Sequence, residues 1–146
     1  VLLLLFQAAG QSYGIEAGCV VEVVPVPRLR PLALAPAWLA GTFTYRGTTI
    51  PVVDLPALVG GAPARPLMST RIAVVRYQGE HLLGIMADNM TETLSCSQEE
   101  LSSPGVRMDE APFLGDLLPA ATGAIQRVTV DRLLPDEVKE RLFPDD

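Results

Sequence analysis

Residues 41–55, GTFTYRGTTIPVVDL, read as two β-strands folded about Arg46-Gly47, with one charge at the turn and another at the far end. Threonine, valine, isoleucine and aromatic residues on either side of the Arg-Gly pair give the segment its strand character. On the first strand Arg46 shares a face with Thr42 and Thr44. Pro51 cannot donate a ladder hydrogen bond, so the second strand is expected to lie at an edge or beside a bulge there. Asp54 follows IPVV and precedes LPALVGG, which fits an N-cap followed by one helical turn that Gly60 or Gly61 ends.

Working outward, the same texture covers the chain. Short apolar runs rich in Val and Ile recur between turn residues, with 13 prolines and 12 glycines in 146 residues and 49% hydrophobic content. That is the pattern of an all-β barrel or sandwich with a core of useful size. Strands are expected over residues 2–8, 12–17, 20–24, 42–46, 48–53, 71–77, 80–87, 91–95, 112–118 and 124–130, and RIAVVRYQGEHLLGIMA reads as a hairpin about Gln78-Gly79. Short helices are expected at PAWLAG, where Pro36 suits a first turn and Gly41 a left-handed stop, and at SQEEL, where Ser97 and Glu100 have capping-box spacing. PDEVKERLF reads as an amphipathic helix with Val138 and Leu142 on one side and Glu137 near Arg141. A soft boundary falls at residues 60–69, and a polar loop is expected over residues 102–111.

Composition narrows the chemistry. Residues 1–87 hold six arginines against four acids, a net +2, whereas residues 88–146 hold five bases against thirteen acids, a net −8. With one lysine and 5% aromatic residues, the chain lacks the basic, aromatic-laced surface of a nucleic-acid binder. A single histidine, His81, expected at an exposed strand position, leaves no acid–base set. No phosphate loop, metal-binding helix or nucleophile elbow is present, and the adjacent pairs Glu99-Glu100 and Asp109-Glu110 read as solvated charges. Cys19 and Cys96 have no second thiol or histidine at metal-ligand spacing and read as reduced core residues. Neither a metal nor a cofactor is expected. VLLLLFQ, at the start, reads as a buried strand, too short to cross a bilayer and without the flanks of a signal peptide.

The informative charges interrupt apolar stretches. In VVEVV, Glu22 shares its face with Val20 and Val24; an unpaired carboxylate there, if buried, would cost several kcal/mol or take up a proton. Arg46 is its natural companion. If both side chains project from edge strands into water, their attraction is worth only about 0–1 kcal/mol. The pattern alone leaves both arrangements open.

Taken in order, LLLFQAAGQSYGIEAGCVVEV, PAWLAGTFTYRGTTIPVVDL, LLGIMADNMTETL and IQRVTVDRLL resemble the successive elements of the CheW-like domain family, adaptor modules of bacterial chemosensory arrays. The Arg-Gly and Pro-x-x-Asp-Leu pieces at their spacing carry most of the likeness. Thr44-Tyr45 stand where the family has Asn-Leu, Pro56 where a basic residue is common, and Val130 where Leu is common. The resemblance implies two intertwined five-stranded SH3-like β-barrels sharing a hydrophobic core, within a single domain over residues 1–146. The lobes are expected at about 12–67 and 69–134, with the first strand crossing between them. It also implies no enzymatic activity, a cytoplasmic place beside receptor arrays, and contact with a CheA-type histidine kinase regulatory domain and the cytoplasmic tip of chemoreceptors. The family's contact positions match Val20, Glu22, Gly41, Arg46, Gly47, Ile72, Met90 and Thr93, while Asp54 and Gly60 match structural positions. A regulatory fragment of a CheA-type kinase or a CheW-receiver fusion would share these motifs. A small-barrel enzyme or nucleic-acid-binding barrel is the remote alternative.

Overall fold

The computed structural model describes residues 1–64, 68–97, 112–120 and 123–144. Nine strands run through them: β1 (Leu2–Ala8), β2 (Gln11–Glu16), β3 (Val20–Pro25), β4 (Leu39–Tyr45), β5 (Thr48–Asp54), β6 (Thr70–Tyr77), β7 (His81–Ser95), β8 (Leu114–Ala120) and β9 (Gly123–Val128). Two α-helices, α1 (Leu55–Leu58) and α2 (Asp136–Leu142), complete the set with two short 3-10 turns. The chain is mostly β, as its composition implies.

Glycine-bearing turns close the hairpins. Ala8 pairs with Gln11 and Tyr45 with Thr48, so each of these hairpins has a two-residue loop. Both residues of each loop have positive φ, 50° and 77° at Ala9-Gly10 and 47° and 84° at Arg46-Gly47. Such primed turns match the right-handed twist of the strands they join. In the β6–β7 hairpin Tyr77 pairs with His81, and Gln78-Gly79 take φ of 45° and 98°.

Strand β7 is the axis of the molecule. Its first half pairs with β6 on one side and, in parallel, with β5 on the other; its second half pairs with β1. Two strands had been expected over 80–87 and 91–95. They are one, because the chain bends at Asn89 without leaving the sheet. Leu5 pairs with Glu92 and Gln7 with Asp88, so residues 89–91 of β7 stand opposite Phe6 alone. The extra length is a bulge, and Asn89, with φ of 57°, adopts the left-handed conformation that Asn tolerates better than most residues. Pairing then gives one group, β4-β5-β7-β6-β3, and another, β7-β1-β2-β9-β8. Arg30 bridges to Thr42 of β4 through backbone bonds of 2.8 and 2.9 Å, so the segment after β3 curls back along the far edge of the first group. Among the described residues β2 pairs with β1 and β9.

Three apolar clusters fill this frame. The largest joins Phe6, Tyr13, Val53, Leu55, Val75, Leu83, Ile85 and Val128, drawn from both groups of strands. A second, with Tyr45, Ile50, Val52, Ile72 and Val74, belongs to the first group, and a third, with Leu3, Leu118 and Ile125, to the second. β6 is buried on both faces, which explains why RIAVVRY reads as a continuous apolar run rather than an alternating one.

Two expected helices need comment. PAWLAG is not helical: residues 37–38 form a turn and β4 begins at Leu39. Gly41 is required inside that strand, where φ is 138° and a Cβ would lie 2.5 Å from the Arg30 carbonyl oxygen. The Pro and Gly signals were real, but they mark a turn and a close backbone approach. The capping box of SQEEL lies outside the described residues, as does the loop of 102–111. α2 is present, with Val138 and Leu142 against the main core, although Arg141 turns to the carbonyl oxygens of Ala33 and Leu34 rather than to Glu137. His81 is half-buried, its ring stacked on Phe143 at a centroid distance of 4.3 Å.

Candidate functional site

The sequence-identified charges meet at the edge of the first barrel. Glu22 sits on β3, where the register with β6 shifts between Val20 and Glu22, and Arg46 sits at the β4–β5 turn. Arg46 donates from Nη2 to Glu22 Oε1 at 2.9 Å. Their side chains are 71% and 42% exposed, which selects the solvent-facing arrangement over the buried one. At that exposure the pair contributes about 0–1 kcal/mol to stability. Its value is geometric.

Tyr45 fixes that geometry. Its ring is buried in the second apolar cluster while its hydroxyl donates to the same Glu22 Oε1 at 2.6 Å. The Arg46 guanidinium carbon lies 5.0 Å from the Tyr45 ring centroid, within cation–π range. One carboxylate oxygen therefore joins two donors, and the tyrosine anchors both charges to the core. The hydrogen bond to Glu22 is the main reason that the Tyr45 hydroxyl titrates above its ordinary value. Sequence reading treated Tyr45 only as a departure from a family pattern. The usable signal was an aromatic with a polar tip beside an arginine at a strand end.

The remaining positions fall into distinct settings. Val20 is half-buried opposite Val75, and Gly47 is the exposed second residue of the turn. Ile72 pairs with Val24 two residues beyond Glu22, and it is fully buried. Gly41 packs beneath the Arg30 backbone. Met90 and Thr93 lie on the second half of β7, in or just beyond the bulge; Met90 is buried and Thr93 exposed opposite Leu4. Glu22 and Arg46, with Gly47 next to it in the turn, are thus brought together, while Met90 and Thr93 lie on the half of β7 that pairs with β1.

Asp54 is the N-cap of α1, accepting from the amide of Ala57 at 3.2 Å. Its two oxygens also accept from the Ala64 amide at 3.2 and 3.0 Å, tying down the segment after the helix. With only 4% exposure, Asp54 is a buried carboxylate satisfied by backbone donors. Gly60 follows with φ of 91°, suited to a helix stop. Pro51 of β5 faces Thr42 just before β5 takes up its second neighbour at Val52 and Gly84.

Among the described residues no group of three or more His, Cys, Asp or Glu side chains could hold a metal ion. Both cysteines are free. Burial, with Glu16 adding to it, raises the Cys19 thiol above its ordinary range, and the thiol donates to the Glu16 carbonyl oxygen at 2.9 Å, a setting that disfavours the nucleophilic thiolate. No helix of the described residues is long and apolar enough to cross a membrane.

Comparison with known proteins places this geometry. The family pattern described as CheW-like domain matches residues 2–137. The chain is similar to a chemotaxis protein CheW of Rhizobium meliloti (strain 1021), 26% identical over 140 residues that cover 94% of this chain and 90% of that protein. It is also similar to a chemotaxis protein CheW of Treponema pallidum (strain Nichols), 30% identical over 114 residues, covering 70% of this chain and 62% of that protein. Protein FrzA of Myxococcus xanthus is 29% identical over 85 residues, 58% of this chain and 52% of that protein. In three dimensions the fold matches the crystal structure of the scaffolding protein TtCheW from Thermoanaerobacter tengcongensis with a TM-score of 0.81, at 24% identity, covering 92% of this chain and 87% of that one.

Proposed function

The chain belongs to the CheW-like domain family, and on that premise we propose that it is a non-catalytic adaptor coupling chemoreceptors to a CheA-type histidine kinase in a chemosensory signalling array. The observation that carries the reading is a family pattern extending over residues 2–137, joined to an exposed, anchored Glu22–Tyr45–Arg46 cluster in place of a reactive centre. Such a protein works by position. One rigid body that holds two partners in a fixed relation lets a rearrangement of the first change the populations of the second.

In this reading the surface around Val20, Glu22, Arg46 and Gly47 meets a partner, with Gly41 and Ile72 holding it in shape. Met90 and Thr93, on the second half of β7, border a second contact, again with Thr93 outermost. Arg46 commits one nitrogen to Glu22 and keeps its other donors for a partner's carbonyl or carboxylate oxygens. The partners are the regulatory domain of the kinase and the cytoplasmic tip of the receptor, and the protein acts in the cytoplasm beside membrane-bound arrays without entering the bilayer.

The test is binding. Purified protein titrated against a CheA-type regulatory domain, and separately against a soluble receptor-tip fragment from the same operon or genome, is expected to give saturable association with both. Absence of binding to either would refute the adaptor role.

A further inference from the structure

The Glu22–Tyr45–Arg46 cluster has free groups as well as fixed ones. Glu22 Oε1 is fixed, accepting from the Tyr45 hydroxyl at 2.6 Å and from Arg46 Nη2 at 2.9 Å. The Tyr45 ring behind it is buried and held edge-on to Phe43, with centroids 6.4 Å apart and an interplanar angle of 74°. Among the described residues Glu22 Oε2 has no hydrogen-bond partner, and neither do Nε and Nη1 of Arg46. Oε2 shares its carbon with Oε1, and Nη1 shares its carbon with Nη2. Covalent geometry alone therefore puts a free acceptor and a free donor next to the same 2.9 Å contact.

Both side chains are open to solvent, and the space that a Cβ at Gly47 would take is empty, so the turn leaves room for an approaching partner. A partner that covers the cluster strips water from both free groups, and a covered charge without a hydrogen bond is strongly destabilising. The pair is neutral. A partner carboxylate is attracted by Arg46 and repelled by Glu22, and a partner cation the reverse, so a third charge brings its desolvation cost without net attraction. A peptide unit is neutral too, but its trans N–H and C=O point to opposite sides and serve only one of the two groups. A hydroxyl offers one atom where two separate groups call for two. The carboxamide of Asn or Gln carries an acceptor oxygen and a donor NH2 on one carbon.

We propose that the cluster recognises the side-chain carboxamide of an Asn or Gln on the protein partner that docks there, its oxygen accepting from Arg46 and its NH2 donating to Glu22 Oε2. The inference rests on the adaptor reading and narrows it, since the group offered to Arg46 is an amide carbonyl rather than a carboxylate. Tyr45 is a positioning residue in this recognition: its hydroxyl occupies Oε1, which leaves Oε2 for the partner.

Calorimetric titration of a CheA-type regulatory domain and of a receptor-tip fragment into the wild type, Glu22→Gln and Arg46→Gln tests it. Glu22→Gln keeps an amide oxygen for Tyr45 and Arg46 but turns the free acceptor into a donor, which then meets the partner's NH2. Arg46→Gln removes the free guanidinium nitrogens and leaves Glu22 charged. Each is expected to weaken binding of the same partner about tenfold or more, with thermal melts showing both variants folded. In that partner, replacing one exposed Asn or Gln by Ala should weaken binding to the wild type by a similar factor, and combining it with Glu22→Gln should weaken it by less than the product of the two. A wild type that binds neither partner overturns the adaptor reading and this inference with it. Where the wild type binds, undiminished or tighter binding by Glu22→Gln points to a partner carboxylate, and by Arg46→Gln to a partner cation; either overturns the inference alone. Variants that weaken different partners, or a partner scan in which no Asn or Gln matters, would do the same.

Discussion

At the scale of single residues, the cluster of Glu22, Tyr45 and Arg46 is organised by hydrogen bonding on a surface, so its loss should be felt in recognition more than in folding. Arg46→Ala is expected to keep the wild-type fold and to lose no more than about 1 kcal/mol of stability, with partner binding weakened; a thermal melt and a binding titration of the same sample check both. The Tyr45 hydroxyl carries a second prediction. Its native titration lies above its ordinary value, chiefly through Glu22, so above pH ~10 the unfolded state releases this proton more readily than the native state does. Stability from this group is complete below that pH and declines as pH rises through the native value. Tyr45→Phe should therefore flatten the alkaline limb of the stability profile, which denaturant melts at a series of pH values measure; an unchanged limb would remove Tyr45 from the account. The pairing of Glu22 with Arg46 was legible in the sequence because each interrupts an apolar strand. Tyr45 was not, because β3 and β4 are not hydrogen-bonded neighbours and no local pattern tells which residues close the gap between them.

At the scale of elements, glycines and caps set where strands cross and stop. Gly41→Ala forces a Cβ against the Arg30 carbonyl in a backbone conformation that L-residues rarely adopt, and is expected to cost about 2–3 kcal/mol by denaturant unfolding. Asp54→Ala leaves the α1 N-terminus and the Ala64 amide without their acceptor; about 1–2 kcal/mol is expected, near the upper end for caps. Hairpins were legible wherever a residue-glycine pair separated two β-rich runs, as at Arg46-Gly47 and Gln78-Gly79. The continuity of β7 was not, since Asp88-Asn89 reads locally as a turn and only pairing with both β6 and β1 keeps the strand in one sheet. Likewise Pro36 and Gly41 bracket a segment of helical length, and what defeats the helix is tertiary: the Arg30–Thr42 bridge draws residues 39–45 into a strand.

At the scale of the whole molecule, the largest apolar cluster draws on both groups of strands, so the barrels should unfold together. Leu83, fully buried in that shared cluster, is the probe: Leu83→Ala is expected to lower stability by about 2–5 kcal/mol while near-UV and far-UV transitions stay coincident. Two separated transitions would mean barrels that fold independently. The all-β class and the strand positions were legible because β-branched runs between glycines and prolines recur along the chain. Which strands share a sheet neighbour was not, because β7 pairs within both groups and β2, besides its hairpin with β1, pairs in parallel with the distant β9.

The claim on which the account rests is that a rigid pair of barrels presents docking surfaces, one of them bordered by Arg46 and Glu22. Calorimetric titration of the wild type and of Arg46→Ala with a CheA-type regulatory domain and with a receptor-tip fragment tests it most directly. Saturable binding of both partners by the wild type, with at least one weakened about tenfold or more in a variant that stays folded, is the predicted result. Binding unaltered by the substitution, or no binding of either partner by the wild type, would contradict it.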